Sequence, residues 1–538
     1  MKSYTKRLAE ITERSQQMKN ALMVPVVDDD TGEFITNSKL RSDRLSEVTG
    51  DSIFEMAGKQ GPMIQATASN ALRSYCTQRG VAPTDEMLAS AHMAIDNALA
   101  ITNGNSKEAG GMLFEAAAIS TTEGILMRDR MVALILPTML RAITADIVTH
   151  IPGTFGQSEI FKIHRIAGST FGDLTKGDRI DYGYQGQYSS MDILKLAGTG
   201  DGTDTGSSDE FDWDSNTEIY SGDSVAANVW PMKKKSIRIL HDRNVVAKDD
   251  GSGNIHGAFL VSGSTVTVTG TVDYDNGTIH PVFSAAPANA IQIHSMFDVN
   301  IEKAPSLIPL VDHEMESEVL YPHEAAIAGD VTLQALWAMR KEYNLNQENM
   351  SMTALRDILA ADKDRKRLRD MYFFMKDERS WDMTIPTGLP LQDHYETIRQ
   401  VLLTIDSVLM QRTGISGLKG LVADAKSCVV FRSLKAPFFT PAIGYNRVPQ
   451  PHYVGKLFGM WDLYEDPYGT DYTSLAFARG ARHGEAGYVA GDAVPALSFK
   501  HSMQRDLQYK NTLWELAYRD LSPFDGRDWF IKFSITAS

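Results

Sequence analysis

Cysteine is scarce in this sequence of 538 residues, which contains only Cys76 and Cys428. The two lie far apart and lack C-x-x-C spacing, so we expect no disulfide framework, as is typical of a reducing compartment such as a cytoplasm. Long apolar runs are missing as well. The best candidate, Met131 to Leu140, is shorter than the roughly 18 residues that span a membrane and contains Pro137. The segment Met1 to Lys19 is polar and unlike a signal peptide. We therefore predict a soluble protein without a membrane anchor.

The familiar signatures of catalysis and nucleotide binding are absent. The sequence has no G-x-x-x-x-G-K-[ST] phosphate loop and no G-x-S-x-G nucleophile elbow. The pairs His313-Glu314 and His323-Glu324 begin like a zinc-binding helix, but neither continues to the second histidine of H-E-x-x-H. We therefore predict that the protein is not an enzyme, and we assign no catalytic residue, no cofactor-binding residue and no metal ligand.

Positively charged residues are outnumbered: the sequence has 53 lysines and arginines and 68 aspartates and glutamates, which gives a net charge of −15. Duplex affinity depends mainly on neutralising phosphates, so this is not the composition of a dedicated nucleic-acid binder. The basic runs Lys233 to Lys235 and Lys363 to Arg369 are interpreted as solvated faces. Glycines at Gly198 to Gly206 are followed by the acidic tract Asp209 to Glu218, which would repel phosphate. They predict a flexible loop, and its carboxylates lack the spacing of a calcium loop.

Residues 1–150 have the composition of a mostly helical region. Glu108 to Leu126 is rich in alanine, and Asp129 to His150 has apolar residues near helical spacing. Pro137 should kink or break that second stretch, because proline removes a helix hydrogen bond.

The composition changes near Pro152. Glu159 to Ala167 alternates like a strand, whereas residues 171–224 are rich in Gly, Asp, Ser and Tyr. Within them, Ala197 to Ser208 is expected to be a long exposed loop. From Val225 to Val299 the pattern is β, with valines alternating with threonines and with Asp-Gly and Asn-Gly turns between short strands. We predict a small antiparallel sandwich or barrel there.

The second half of the chain combines helices with strands. Helical character is predicted from His323 to about Asp377, and again over Asp393 to Arg412, where the apolar residues fall at core-facing spacing. Ala425 to Arg432 is interpreted as a buried strand around Cys428. Further strands are predicted at Tyr472 to Ala478, Asn511 to Tyr518 and Trp529 to Ile535.

One stretch of the C-terminal third carries a recognisable pattern. From Tyr453 to Tyr468 the chain reads Y-V-G-K-L-F-G-M-W-D-L-Y-E-D-P-Y, and an A-G-x-x-x-x-P segment follows. This resembles the major capsid proteins of T-even-like tailed phages. The matching residues are Gly455, Leu457, Gly459, Tyr464, Asp466, Pro467, Tyr468, Ala486, Gly487 and Pro495. The sequence departs from the family pattern at Phe477 to Arg479, where the family has a glycine, a tyrosine and a lysine.

A second local match lies in the β-rich region. Asp249 to Gly253, Gly270 to Gly277 and Phe283 to Ala288 resemble a β-module that is often inserted in phage capsid proteins. Together the two resemblances imply a mixed α+β fold of the Hong Kong 97-type. It would have a long N-terminal helical arm, an extended loop arm, an inserted small antiparallel β-domain and a spine helix near residues 324–377.

The resemblance implies an order of regions along the chain. They are an N-terminal helical arm region (1–150), an extended loop arm (151–225), a β-sandwich or barrel-like insertion (226–300), a peripheral domain with the spine helix (301–384), an axial domain (385–495) and closing strands of the peripheral domain (496–538).

The function implied is that of a major capsid protein. Copies would self-assemble into hexamers and pentamers of an icosahedral phage head that encloses double-stranded DNA, touched only by non-specific contacts. The implied partners are the chain itself, a scaffold, a portal and decoration proteins, with no membrane and no cofactor. The location would be the virion, after assembly in the host cytoplasm.

Two alternatives stay open at the level of the sequence. One is another virion structural protein, such as a tail sheath or baseplate component. The other is a carbohydrate-binding surface protein that uses the β-insertion as a lectin. Exposed aromatic residues on that insertion would favour the second alternative, but Phe259, Tyr274, Phe283 and Phe297 are spaced like core positions.

Overall fold

A computed structural model describes most of the chain. The described residues are 4–28, 31–102, 132–154, 156–180, 186–207, 211–214, 230–261, 263–342, 347–388, 390–501 and 508–536. Contacts divide the chain into two compact units: the first comprises Met1–Lys162 and Glu316–Ser538, and the second is Ile163–Met315. Over these ranges, no helix combines the length and the hydrophobicity needed to cross a membrane.

The first unit begins with a group of helices. They are α1 (Tyr4–Leu22), α2 (Ser38–Val48), α3 (Gly61–Arg79), α4 (Asp85–Thr102) and α5 (Ile135–Arg141). Helix α1 packs on α4 and α3 packs on α5, around fully buried residues such as Leu22, Leu72 and Leu88. The helical prediction is confirmed for this part of the chain, whereas Glu108 to Leu126 lies outside the described residues.

The long helix predicted over Asp129 to His150 is wrong. Among the described residues from 134 onwards the helix is short, α5, and Pro137 is its third residue, in the first turn, where a missing N–H costs nothing. Ala142 then leaves helical geometry, a 3-10 turn covers Ile143–Asp146, and strand β1 (Thr149–His150) follows. The buried Asp364 carboxylate accepts the backbone N–H groups of residues 143 and 144, which fixes the turn.

The chain leaves the first unit along β2 (Ser158–Ala167), which confirms the strand predicted at Glu159 to Ala167. The second unit is built around one eight-stranded sheet. Its strands are β3 (Asp192–Thr199), β4 (Trp213–Asp214), β5 (Arg238–His241), β6 (Asn244–Asp249), β7 (Asn254–Val261), β8 (Ser264–Asp273), β9 (Thr278–Phe283) and β10 (Gln292–Asp298). The spatial order is β3-β10-β5-β6-β7-β8-β9-β4, with antiparallel neighbours throughout. The valine alternation of β8 is confirmed, since Val266, Val268 and Val272 are buried and the intervening threonines are exposed.

Part of the expected loop belongs to this sheet. Ala197 to Thr199 are the last residues of β3, which pairs with β10, so the loop predicted from Ala197 begins only at Gly200, and Asp201 to Asp204 within it are exposed. The glycines permit close backbone contact instead. A Cβ at Gly200 would lie 2.7 Å from the Ala288 carbonyl oxygen, and one at buried Gly206 (φ +86°) would lie 2.5 Å from the Pro281 carbonyl oxygen.

The chain returns to the first unit along β11 (Val311–Leu320), which pairs with β2. The remaining helices are α6 (Leu333–Glu342), α7 (Gln347–Phe374), α8 (Leu391–Glu396), α9 (Ile398–Thr413) and α10 (Ala425–Arg432). The remaining strands are β12 (His323–Thr332), β13 (Glu378–Asp382), β14 (Leu418–Asp424), β15 (Phe439–Pro441), β16 (His452–Leu457), β17 (Trp461–Asp466), β18 (Thr473–Ala478), β19 (Tyr488–His501), β20 (Gln508–Leu521) and β21 (Phe530–Thr536).

These strands make two sheets, with orders β1-β19-β20-β12 and β13-β21-β18-β14-β17-β16-β15. The second sheet and α9 share the largest core of the protein. The stripe predicted for α9 is confirmed, because Ile398, Leu402, Ile405 and Leu409 are fully buried. The three strands predicted between Tyr472 and Ile535 are confirmed as β18, β20 and β21.

Two predictions in this unit are wrong. Residues 323–332 form strand β12 rather than a helix, and they pair with β20 along their whole length. Residues 425–432 form helix α10 rather than a strand, because the Asp424 side chain accepts the N–H groups of Lys426 and Ser427 and caps the helix. Helix is confirmed over Leu333–Glu342 and Gln347–Phe374, and the 28 residues of α7 span about 42 Å.

Candidate assembly surfaces

The first part of the sequence that carries the capsid resemblance, Gly455 to Asp466, lies in a hairpin. Strand β16 ends at fully buried Leu457, Gly459 makes the turn at φ +71°, and β17 runs to Asp466. Tyr464 is 2% exposed, whereas Tyr468, just after the strand, is 66% exposed. The structure therefore gives most of these residues a role in packing.

Gly459 offers a direct test of that interpretation. Nothing lies within 4 Å of a Cβ built there, so Gly459→Ala adds no clash and only backbone strain. We expect a loss of about 1 kcal/mol in the free energy of unfolding, measured by urea titration. Gly50→Ala is the matched control, since that site is equally open and has no positive φ. A loss equal to that of the control would contradict the turn argument.

An ionic and aromatic cluster joins the N-terminal helices to this hairpin. The Arg79 guanidinium lies 2.8 Å from the Asp146 carboxylate and 4.0 Å from the centre of the Tyr453 ring. The Tyr464 hydroxyl donates to Asp146 over 3.1 Å, and the Tyr75 hydroxyl donates to its other oxygen. Burial, followed by the Asp146 charge, raises the pKa of Tyr75 far above its ordinary value. The cluster favours cohesion, because the Asp146 carboxylate accepts from both tyrosine hydroxyls and pairs with Arg79.

A second buried cluster holds α4 against the C-terminal half of the chain. The Glu86 carboxylate accepts the Thr149 hydroxyl at 2.8 Å and the His150 N–H at 3.0 Å. His483 Nδ1 lies 3.2 Å from one carboxylate oxygen and Arg479 Nη2 lies 3.8 Å from the other. Burial alone would raise the pKa of Glu86, but contact with His483, Arg479 and Thr149 holds it below its ordinary value. Glu86 is therefore an ionised group at the centre of the first unit.

Strand β11 is exposed along most of its length. Eight of its ten residues are exposed, although a two-stranded ribbon is only marginally stable by itself in water. On one face of the strand Val311 is 50%, Met315 56% and Val319 38% exposed, and these residues alternate with His313 and Ser317. This face is a candidate surface for contact with a partner.

The other row of β11 is acidic. Because side chains alternate along a strand, Asp312, Glu314, Glu316 and Glu318 fall on one face, about 6.6 Å apart. Asp312, Glu314 and Glu318 are exposed and make no ion pair with the described residues. Like charges in a row repel one another, so the row is better accommodated against a basic surface.

Helix α7 has one face buried and one face free. Leu355, Leu359, Leu368 and Met371 are buried, and on the same side Lys363 pairs with the buried Asp492 carboxylate. The basic residues of the run Lys363 to Arg369 therefore lie on two sides of the helix. Lys363 and Arg367 face inward, whereas Arg365, Lys366 and Arg369 are exposed.

The free face of α7 combines guanidinium groups with aromatic rings. Arg365 and Arg369 are exposed, and Phe373, one turn further on, is 80% exposed. The Arg365 guanidinium lies 5.1 Å from the centre of the exposed Tyr468 ring. Arginine and aromatic side chains are enriched in protein interfaces, so this face is a candidate docking surface.

The His-Glu pairs, the glycine-rich segment and the lysine run that the sequence singled out lie on strands and turns. His313 lies on β11 and His323 lies 3.1 Å from Asp520, and no group of three metal-binding side chains occurs within the described ranges. Asp201, in the glycine-rich segment, accepts the N–H groups of Thr203 and Asp204, which is a turn and not a ligand site. Lys235 donates its N–H to Asp249 at a turn before β5.

The aromatic residues of the β-rich unit are mainly core residues, as predicted. Phe283 and Phe297 are 2% and 0% exposed, and Phe259 and Tyr274 are partly buried against the same core. They therefore form no exposed platform of the kind that stacks on a sugar ring.

The structure also places residues that sequence reasoning missed. Glu86, Arg79, Asp146 and Arg479 had no motif to mark them, since their partners lie far away in the sequence. The acidic row of β11 did leave a signal, an acidic residue at every second position from Asp312 to Glu318.

Comparisons with known sequences found a matching family model and a similar protein. A family model described as "Domain of unknown function (DUF8615)" matches residues 1–142. Protein IncB of Escherichia coli is 32% identical over 177 residues, which make up 32% of this chain and 85% of IncB. The chain therefore belongs to the same family as IncB.

Comparisons with solved structures return shell proteins at low similarity. The capsid of the jumbo bacteriophage PhiKZ matches with a TM-score of 0.32 at 9% identity, covering 74% of this chain and 92% of that chain. The capsid of Myoviridae phage XM1 gives 0.30 at 9%, covering 54% and 89%. The SrpI encapsulin of Synechococcus elongatus gives 0.29 at 9%, covering 42% and 77%.

Proposed function

We propose that the protein is a structural shell protein, the major capsid protein of a tailed phage, without enzymatic activity. Copies would assemble into hexamers and pentamers of an icosahedral head that encloses double-stranded DNA. The observation that carries the proposal is β11, an extended strand on which eight of ten residues are exposed in a single chain. The hairpin of β16 and β17, which carries the resemblance to T-even-like capsid proteins, supports the same function.

The proposal assigns roles to the regions of the chain. In a Hong Kong 97-type arrangement, α7 is the spine helix of the peripheral domain, residues 385–495 are the axial domain and residues 496–538 are the closing strands. The helices of 1–150 form the N-terminal arm region, 151–225 the extended loop arm, and 226–300 the inserted β-domain. Scaffold, portal and decoration proteins are the expected partners in the virion, and assembly takes place in the host cytoplasm.

Internal cohesion supports a mechanical role. The Arg79 and Glu86 clusters tie the N-terminal helices to strands more than 300 residues away in the sequence. Such long-range ionic links resist separation of chain segments, because removing one partner leaves an uncompensated buried charge. A shell that contains packaged DNA under pressure requires that resistance.

The test is assembly of the purified full chain, followed by electron microscopy and light scattering. We expect closed shells, tubes, or separate six-fold and five-fold rings, with and without a candidate scaffold. A species that stays monomeric or dimeric under all these conditions contradicts the proposal. Stacked discs that never close would instead favour the alternative of a tail component. The lectin alternative predicts glycan binding by the β-rich unit in the full chain.

A further inference from the structure

A cleft of about 380 Å³ lies in the first unit, between the N-terminal helices and the loop that joins β15 to β16. One wall comes from α3 and the end of α5 and includes Ser74, Gln78 and Arg141. The other comes from the loop and includes Tyr445 and Asn446. The volume is in the range of pockets that hold small molecules.

The lining of the cleft is positively charged and contains no carboxylate of the described residues. Apart from three tyrosines, its ionisable side chains are Arg79, Arg141 and His452, in a chain whose net charge is −15. The nearby carboxylates of Asp146 and Glu465 do not line the cleft, and each is paired with an arginine. An anion in the cleft is therefore attracted by its walls and meets no carboxylate on them.

Arg79 directs the positive end of a buried ion pair towards the cleft. Its Nη2 lies 2.8 Å from the Asp146 carboxylate, and only the arginine of this pair lines the cleft. Its Nη1 is buried and makes no hydrogen bond within the described parts of the chain. Because water does not reach Nη1, the guanidinium acts on the cleft through its electric field, which is screened much less than that of an exposed charge.

Direct contacts with an anion are available from Arg141 and from three neutral donors. Arg141 is exposed and makes no ion pair with the described residues. Its position in the last turn of α5 suits the helix dipole, but that role leaves its hydrogen-bond donors unused. Ser74, Gln78 and Asn446 are exposed as well, and their hydroxyl and amide groups make no hydrogen bond with side chains that the structure describes.

We infer that this cleft binds a phosphate group, either as inorganic phosphate or as part of a small organic phosphate such as a nucleotide. A guanidinium binds phosphate through two parallel hydrogen bonds, and the neighbouring hydroxyl and amide groups can donate to the remaining oxygens. Tyr445, Ile443 and Pro137 add apolar surface against which an organic part can pack. The inference does not depend on the proposed shell function, because all the lining residues belong to one chain.

The test is binding of three probes to the purified full chain, by isothermal titration calorimetry in a phosphate-free buffer of low salt. The probes are inorganic phosphate, adenosine monophosphate and adenosine, which has the same organic part without the phosphate. One variant, Arg141→Gln, removes the exposed charge, and the other, Gln78→Glu, adds a carboxylate of nearly the same shape. Arg238→Gln and Gln400→Glu are the matched controls, since both residues are exposed and lie outside the cleft. Circular dichroism and urea unfolding check that every variant is folded.

We expect a dissociation constant of about 1 mM or lower for at least one of the two phosphate compounds, and binding at least about tenfold weaker for adenosine. Each cleft variant weakens phosphate binding by about tenfold or more, because a charged donor is lost or a like charge is added, and the controls leave it unchanged. Equal affinities for phosphate and adenosine monophosphate assign the cleft to phosphate itself, whereas tighter binding of the nucleotide assigns it to organic phosphates.

Three results overturn the inference. The first is that neither phosphate compound binds at about 10 mM. The second is that adenosine binds as tightly as its monophosphate, and the third is that either cleft variant, when folded, binds like the wild type.

Discussion

Replacing Glu86 by alanine is expected to lower the free energy of unfolding by about 3–5 kcal/mol. The carboxylate is buried and ionised, and it holds the Thr149 hydroxyl, the His150 N–H, His483 and Arg479. Its loss leaves those groups without their acceptor in a place that water does not reach. The measurement is the urea unfolding midpoint at neutral pH, together with the rate at which a protease releases the N-terminal helices.

Glu378→Ala is the matched control for that variant. Its carboxylate also makes an ion pair, with Lys532 at 3.1 Å, but it is 50% exposed. Exposed ion pairs contribute about 1 kcal/mol or less to stability, so the control should change the free energy of unfolding very little. If Glu86→Ala and Glu378→Ala cost the same, the Glu86 cluster does not fasten the N-terminal helices, and the argument for mechanical cohesion loses its main support.

Periodic patterns in the sequence correctly predicted helices and strands that pack against a single core. The stripe of α9 and the alternation in β8 were readable because each faces one core, so the period of apolar residues follows the geometry of the element. The α+β fold class, in contrast, was implied by the capsid resemblance and not by a local pattern.

The failures have physical causes that a local pattern does not contain. Residues 323–332 became a strand because β20, almost 190 residues later, offers a partner along their whole length. The run around Cys428 became a helix because Asp424 caps it, and a short apolar run does not distinguish strand from helix. The ionic clusters of Glu86 and Arg79 could not be predicted for the same reason as β12, because their partners are distant in the sequence and come close only in the folded chain.

The stability of the protein is expected to fall as the pH is lowered from 6.5 towards 4. Burial, and then the positive charges of Arg479 and Arg367, lower the pKa of His150 to about 4, even though Glu86 and the Ala145 carbonyl favour the charged ring. An unfolded histidine has a pKa of about 6.5, so below that pH the unfolded chain binds a proton that the folded chain does not. The stabilisation is therefore complete above pH 6.5 and is lost as the pH falls, by about 1 kcal/mol between pH 6.5 and 5.5.

His92 contributes in the same direction, because burial and the nearby Arg14 lower its pKa to about 4. Urea unfolding at pH 7.5, 6.5 and 5.5 measures the loss, over a range in which carboxylates of ordinary pKa stay ionised. His150→Gln keeps an N–H donor for the Ala145 carbonyl but carries no titrating group, so its stability should change less over this range than that of the wild type. His256→Gln, at a position 65% exposed, should retain the full dependence. A pH profile of His150→Gln parallel to that of the wild type would mean that this histidine is not held neutral by its surroundings, and that the ionic core around Glu86 tolerates one more positive charge.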